Sequence, residues 1–169
     1  MVERDLMPYL LKMARQFKAV LVTGPRQSGK TTFVRMAFPD KPYVSLEDPD
    51  ERLMAIQDPR SFLNRFTDGA ILDEAQRAPS LFSYLQRLLD DSPRKGRFII
   101  TGSQHLGLLE TVSQSLAGRV ALLELLPFSQ QELARGGYAQ KTADAAIFKG
   151  AYPPVYDQKV DAEIGRAHV

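Results

Sequence analysis

A glycine-rich segment between an apolar stretch and a helix-forming stretch constrains the fold more than any other part of the sequence. Residues 19–22 are all apolar and lead directly into GPRQSGKT at residues 24–31. This segment matches the spacing G-x-x-x-x-G-K-[ST], in which backbone N–H groups surround a phosphate and the following helix directs the positive end of its dipole at the anion. The sequence therefore predicts a polyphosphate-binding loop between a buried strand and a helix.

The loop supplies the side chains that a nucleoside triphosphate with Mg²⁺ requires. Lys30 is expected to reach the β- and γ-phosphates, and the hydroxyl of Thr31 is expected to bind the metal. An incidental glycine turn with a solvated lysine is the alternative, which the flanking strand and helix disfavour. Nucleotide contacts are predicted from the whole loop: Gly24, Pro25, Arg26, Gln27, Ser28, Gly29, Lys30, Thr31 and Thr32.

Apolar periodicity along the chain predicts an α/β fold. Strands are predicted at residues 18–23, 43–46, 69–72, 97–101 and 120–125. Helices are predicted at residues 6–17, 31–37, 49–66 with a break at Pro59, from Pro79, 107–116, and from Ser129, which has a capping-box spacing to Glu132. This alternation predicts a three-layer P-loop sandwich, in which a mainly parallel sheet of five strands carries helices on both faces.

Two acidic residues follow the predicted strand at 69–72. In a parallel sheet, a carboxylate at the carboxyl end of a strand lies beside the ligand-binding loops. Asp73 is therefore predicted to hold Mg²⁺ through its water shell, and Glu74 to polarise an attacking water. An isolated Asp-Glu pair more commonly caps a helix or faces solvent, but the phosphate-binding loop favours the functional interpretation.

Further polar and cationic candidates lie later in the chain. TGSQ at residues 101–104 ends a predicted strand, where Ser103, with Thr101 as the reserve, would bond the γ-phosphate or the attacking water. A turn serine that caps a helix is the alternative, and His105 is expected to be a surface or capping residue. Arg119 is the arginine best placed to meet the γ-phosphate, in cis or in trans, although an exposed arginine at a strand start is the favoured interpretation.

Composition narrows the remaining function classes. The chain has 22 basic and 20 acidic residues, so bulk charge gives no argument for a nucleic-acid or membrane-surface partner. It has no cysteine and two histidines far apart, which disfavours disulfides and a zinc site. No apolar run is long enough to cross a bilayer, and we expect a protein of the cytoplasm.

The sequence resembles a family of bacterial and archaeal AAA+-type ATPases. Four stretches together carry the resemblance: VLVTGPRQSGKTT, ILDEAQ, FIITGSQ and SLAGRVALLELLPFS. The resemblance covers roughly residues 1–156, including EDPD at 47–50 and GAYP at 150–153. It implies a P-loop core with a Walker A motif at residues 24–31, a Walker B motif at Asp73 and Glu74, and a sensor at the end of the fourth core strand. ATP and Mg²⁺ are the implied ligands.

The same resemblance suggests a division of the chain. Residues 1–140 are predicted to form the ATPase domain, and residues 141–163 to begin a C-terminal region that is truncated here. Family members continue into a second domain of uncertain role, sometimes likened to nucleases. Residues 164–169, IGRAHV, correspond to translation of a common sequencing-adapter read, so we expect a non-native tail and a longer native gene.

The function predicted from the sequence is Mg²⁺-dependent ATP binding with slow hydrolysis, coupled to work in the missing C-terminal domain, with DNA or protein as its target, or in a homo-oligomer. One alternative is a nucleotide-gated module that binds DNA or protein and hydrolyses ATP only incidentally. A small-molecule kinase is the other alternative. Gln27 stands where many such kinases have a third glycine, and Glu74 beside Asp73 suits water activation better than transfer to a hydroxyl.

Overall fold

A computed structural model describes residues 2–103, 112 and 115–157 of the chain. Its strands are β1 (Ala19–Thr23), β2 (Tyr43–Ser45), β3 (Ala70–Asp73), β4 (Phe98–Thr101) and β5 (Val120–Glu124). Its helices are α1 (Met7–Gln16), α2 (Lys30–Ala37), α3 (Pro49–Gln57), α4 (Pro59–Asn64), α5 (Leu81–Asp90), α6 (Gln130–Arg135), α7 (Ala143–Lys149) and α8 (Pro153–Asp157), and Ala75–Arg77 form a short 3₁₀ helix.

The strands form one five-stranded sheet in the order β2-β3-β4-β1-β5, and every pairing is parallel. β1 lies between β4 and β5, because Ala19 pairs with Phe98 of β4 on one side and with Val120 of β5 on the other. The predicted parallel sheet is therefore confirmed. Since all strands run the same way, their carboxyl ends meet at a single edge of the sheet.

Both faces of the sheet are buried against helices. Alternate residues of a strand point to opposite faces, and in β1 Leu21 joins one apolar cluster while Val22 joins the other. The first cluster contains Phe62 of α4 and Leu85 of α5, and the second contains residues of α1 and α2. Burial on both faces explains why the strands have continuous apolar sequences.

The helix boundaries agree with most of the sequence predictions. Asp58 ends α3 and caps α4 by accepting the N–H of Ser61, so the predicted break at Pro59 is present. Ser129 and Glu132 form the predicted capping box at the start of α6. The predicted helix at residues 107–116 lies mostly outside the described residues, although Val112 and Leu116 are buried in the first cluster.

The amphipathic helix α5 differs slightly from its prediction. It begins at Leu81 rather than at Pro79, and Leu81, Leu85 and Leu89 are fully buried. Tyr84, which the sequence places in the same apolar stripe, is 44% exposed. The spacing of four residues between the buried leucines already fills the contact face, so Tyr84 lies at its border. No helix among the described residues has both the length and the apolar character needed to span a membrane.

Candidate functional site

The loop between β1 and α2 lies at the carboxyl edge of the sheet and depends on two glycines. Gly24 has φ of 145°, and a Cβ atom there would lie 2.2 Å from the carbonyl oxygen of Leu125. Gly29 has φ of 89°, a left-handed conformation that side chains disfavour. The sequence therefore folds locally into a tight loop that ends at the first turn of α2.

Lys30, the first residue of α2, folds back over this loop. Its Nζ donates hydrogen bonds to the carbonyl oxygens of Gly24 at 3.1 Å and of Pro25 at 2.8 Å, and the residue is only 5% exposed. Burial lowers the pKa of the Lys30 amine, while the nearby Glu74 and Asp73 carboxylates act in the opposite direction. The ammonium group is thus held inside the loop by acceptors that a phosphate oxygen can replace.

Asp73, at the end of β3, is buried and accepts hydrogen bonds from three hydroxyl groups. Thr31 Oγ1 lies 3.0 Å from both carboxylate oxygens, Tyr43 donates to Oδ2 at 2.8 Å, and Thr101 donates to Oδ1. Burial of the phenol, followed by its bond to Asp73, raises the pKa of Tyr43 to about 12. The two side chains predicted to hold Mg²⁺, Thr31 and Asp73, are therefore in direct contact.

Glu74 lies next to Asp73 and turns toward the same edge. Its backbone N–H donates to Thr101 Oγ1 at 3.2 Å, and its carboxylate accepts from the side-chain amide of Gln76. Ser103 Oγ lies at 3.4 Å from Glu74 Oε2. The ends of β3 and β4 thus bring the predicted water-polarising carboxylate and both predicted sensor residues together.

Two residues at this edge have an unusual backbone. Among the described residues other than glycine, positive φ occurs at Gln27 (62°) and at Glu74 (54°). Such conformations are uncommon outside glycine and concentrate at functional sites. Both residues line one cavity, although they are 47 positions apart in the sequence.

This cavity has a volume of about 400 Å³ and lies above the loop. It is lined by Arg26, Gln27, Gly29, Lys30, Thr31, Thr32, Glu47, Glu74, Pro153 and Pro154. Arg26, Gln27 and Thr32 are exposed at its rim, whereas Ser28 lies beneath it with a buried Oγ that has no hydrogen-bond partner among the described residues. The predicted loop residues thus surround a space that is open to solvent.

Arg119 lies at the opposite end of the sheet. It directly precedes β5, whose first residue pairs with Ala19 at the start of β1, about 13 Å of strand away from the loop. Its guanidinium pairs with the carboxylate of Asp90, with Nη2 at 3.0 Å from Oδ2. Arg119 is therefore remote from the loop of its own chain, because a residue before a parallel strand lies at the amino edge, and a role in trans stays a prediction. Gln104 and His105 lie outside the described residues.

Three residues at the site were not predicted from the sequence. Tyr43 has the pattern of a strand residue, and nothing in its neighbourhood indicates a contact with Asp73. Glu47 lines the cavity and forms an ion pair with Arg77 at 3.2 Å. Pro153 packs on the loop, 3.4 Å from where a Cβ atom of Gly29 would stand. The stretches EDPD and GAYP, already part of the family resemblance, were the available signals for the last two.

Comparison with solved structures identifies the fold class. A Walker-type ATPase of Pyrococcus abyssi superposes with a TM-score of 0.55 at 17% identity, covering 90% of this chain and 65% of that one. A signal transduction ATPase with numerous domains and a tetratricopeptide repeat sensor, from Pyrococcus horikoshii, gives a TM-score of 0.51 at 18% identity, covering 90% of this chain and 28% of that one. The chain has the α/β fold of P-loop ATPases.

Sequence comparison then gives the family. A family model described as an AAA domain matches residues 16–134, and the chain belongs to this AAA domain family. Uncharacterized proteins of Mycobacterium bovis and Mycobacterium tuberculosis are each 34% identical over 155 residues, which are 90% of this chain and 34% of theirs. The chain thus spans about a third of the length of the curated relatives it matches. Family and fold together support a nucleotide-binding, ATPase-like function.

Proposed function

We propose that this chain binds ATP with Mg²⁺ on the loop at residues 24–31 and hydrolyses it. The observation that carries the proposal is the convergence of Lys30, Thr31 and Glu74 on one cavity, with Asp73 bonded to Thr31 directly behind it. These groups come from the beginning of α2 and the end of β3, and Thr31 and Asp73 are 42 positions apart in the sequence. Phosphoryl transfer to water requires groups that bind the phosphates, hold the metal and position the water. The ammonium, the hydroxyl and the two carboxylates at this edge of the sheet can fill these roles.

The residues present fit a triphosphate. The first N–H groups of α2 have no partner within the helix and lie at the positive end of its dipole, beside the buried ammonium of Lys30. Gly24 and Gly29 keep side chains out of the loop, and the orphaned Ser28 Oγ offers a further polar atom there. We assign phosphate binding to this loop, with Arg26, Gln27 and Thr32 at the rim.

The residues also fit Mg²⁺. This ion prefers oxygen ligands and is commonly held by one or two protein groups together with substrate phosphates. Thr31 and Asp73 supply a hydroxyl and a carboxylate in contact with each other. When bound, the metal would neutralise charge that develops on the phosphate oxygens.

We assign the attacking water to Glu74. Its carboxylate lines the cavity beside Lys30 and Thr31, whereas the Glu47 carboxylate, which lines the same cavity, is paired with Arg77. The left-handed backbone at Glu74 ends the strand direction there. Ser103 and Gln76 contact the same carboxylate and would orient it. A side chain that accepts a proton from water in this way typically contributes two to four orders of magnitude to a rate.

Calorimetry and phosphate release test the proposal together. ATP titrated into the folded chain in the presence of MgCl₂ should give a saturable heat that EDTA weakens, and phosphate should be released with no added acceptor. Lys18→Ala is the matched control, because Lys18 also donates to a backbone carbonyl, that of Leu89, but at the other end of β1. Absence of binding by the folded wild-type chain would reject the proposal, and phosphate release only with a hydroxyl acceptor would favour a kinase.

A nucleotide-gated module for DNA or protein is the second candidate. The contact of Pro153 with the loop favours it, because a nucleotide in the cavity would then also contact α8, the last described helix of the chain. Turnover that rises on addition of DNA or of a protein partner, or that depends on chain concentration as in a homo-oligomer, would support this candidate.

A further inference from the structure

The two oxygens of the Asp73 carboxylate are held from opposite sides by different strands. β3 lies between β2 and β4 in the sheet. Tyr43, the first residue of β2, donates its hydroxyl to Oδ2 at 2.8 Å, and Thr101, the last residue of β4, donates to Oδ1. Each oxygen therefore has one donor from a different neighbouring strand, in addition to Thr31.

The register of the sheet explains how Tyr43 reaches this carboxylate. Tyr43 pairs with Ile71 of β3, and side chains two apart along a strand share a face, so Ile71 and Asp73 point the same way. The tyrosine is thus a diagonal neighbour of Asp73 on the face that α2 covers. Its ring lies under the guanidinium of Arg35 of α2, whose Cζ is 4.8 Å from the ring centroid.

Tyr43 differs from Thr31 in what it can do when a metal binds. Thr31 lies 3.0 Å from both oxygens and is itself an assigned metal ligand, so its hydroxyl must turn from the carboxylate to the ion. Tyr43 is anchored on another strand and stacked under Arg35, and it stays in place. Beyond its ring lies a separate cavity of about 420 Å³, lined also by Arg35 and Lys41.

We propose that Tyr43 is a positioning residue for the magnesium carboxylate: its hydroxyl fixes Oδ2 of Asp73, so that the carboxylate keeps its orientation when Thr31 turns to the metal. The inference rests on the Mg²⁺-dependent nucleotide binding proposed above. Partners that orient a metal ligand without touching the metal typically change metal affinity by 10–100-fold when they are removed. Tyr43 thereby links the edge strand β2 to the metal position.

Tyr43→Phe tests this, because it keeps the ring and its stack with Arg35 and deletes only the donor. Binding of a fluorescent ATP analogue is measured while MgCl₂ is titrated, and again in EDTA. We expect the Mg²⁺ concentration for half-saturation to rise about tenfold, the metal-free affinity to stay within about twofold, and kcat to recover at high Mg²⁺. Tyr84→Phe on α5, also a partly exposed tyrosine, should behave as wild type.

The possible outcomes separate this inference from the proposed function. An unchanged Mg²⁺ dependence in Tyr43→Phe, or an equal loss with and without metal, overturns the positioning role and leaves the ATPase proposal intact. Failure of the wild-type chain to bind nucleotide with Mg²⁺ overturns both. Thr101→Val, which removes the donor to the other oxygen, should likewise raise the Mg²⁺ concentration for half-saturation without changing the metal-free affinity. This variant is used if circular dichroism shows that Tyr43→Phe is poorly folded.

Discussion

Two buried carboxylates in this molecule have nearly the same exposure and very different surroundings. Asp73 is 4% exposed at the carboxyl edge of the sheet, and Glu132 is 5% exposed at the start of α6. Glu132 accepts backbone N–H groups from Asp5 and Ser129, both at 2.8 Å, with Arg4 Nε at 3.7 Å. The Asp73 carboxylate instead accepts hydrogen bonds from three hydroxyl groups, those of Thr31, Tyr43 and Thr101.

The difference lies in whether the donors can move. A backbone N–H is fixed by the chain and can only donate, so Glu132 ties the N-terminal segment to α6 permanently. A hydroxyl group rotates and also accepts. The hydroxyl of Thr31 can therefore turn from Asp73 to an arriving cation while Tyr43 stays bonded to the carboxylate. We infer that a buried carboxylate supports exchangeable binding only where at least one of its donors is a hydroxyl group.

The largest expected effect comes from removing the cation nearest to Asp73 and Glu74. Lys30→Ala should weaken ATP binding about 1000-fold, since truncating one member of a buried charge pair costs about 4 kcal/mol. Calorimetry with MgATP measures this, with Lys18→Ala as the control. An affinity within tenfold of wild type would show that the ammonium does not meet the phosphates.

Glu74→Gln tests whether Glu74 activates the water while the adjacent Asp73 holds the metal. Phosphate release should fall about 100-fold because the amide cannot accept the proton of the attacking water, while ATP affinity stays within about threefold. A phosphate-release assay at saturating MgATP gives the rate. Turnover at the wild-type rate would assign the water to another group.

Replacing each buried carboxylate by the corresponding amide tests whether Asp73 and Glu132 differ as inferred. Glu132→Gln should lower the free energy of unfolding by about 2 kcal/mol, because its new NH₂ group faces a buried backbone N–H that only an oxygen can satisfy. Its ATP affinity should not change. Urea unfolding and calorimetry measure the two quantities.

Asp73→Asn should give the opposite pattern. The surrounding hydroxyls can accept from the amide, so the free energy of unfolding should change by less than about 1 kcal/mol, whereas the dependence of ATP binding on Mg²⁺ should disappear. A large loss of stability in Asp73→Asn would mean that its hydroxyl partners are as fixed as those of Glu132.

The smallest effect is expected at the amino edge of the sheet. Arg119→Ala should leave ATP affinity within about twofold of wild type, since the arginine pairs with Asp90 far from the loop. Turnover is measured at several chain concentrations. If Arg119→Ala lowers turnover only at high chain concentration, Arg119 acts on a neighbouring copy of the chain, an alternative that the sequence left open.

Most of the fold and the local part of the site follow from the sequence. The spacing of Gly24, Gly29, Lys30 and Thr31 predicts the loop, since each constraint there acts within eight residues. Apolar runs and the capping box at Ser129 predict the strands and α6 for the same reason. Placement at the carboxyl edge of Asp73, Glu74 and Thr101 also follows, because each ends a parallel strand.

The features that follow from the sequence alone are local: a tight glycine loop, five largely apolar strands, and polar groups where two of those strands end. Only the tertiary structure decided which of these groups touch. Tyr43 contacts Asp73 because β2 lies beside β3, and Arg119 is remote because it enters β5 from the amino edge. Strand order and register depend on packing across the whole sheet. The spacing of residues within a short stretch of the chain does not encode them.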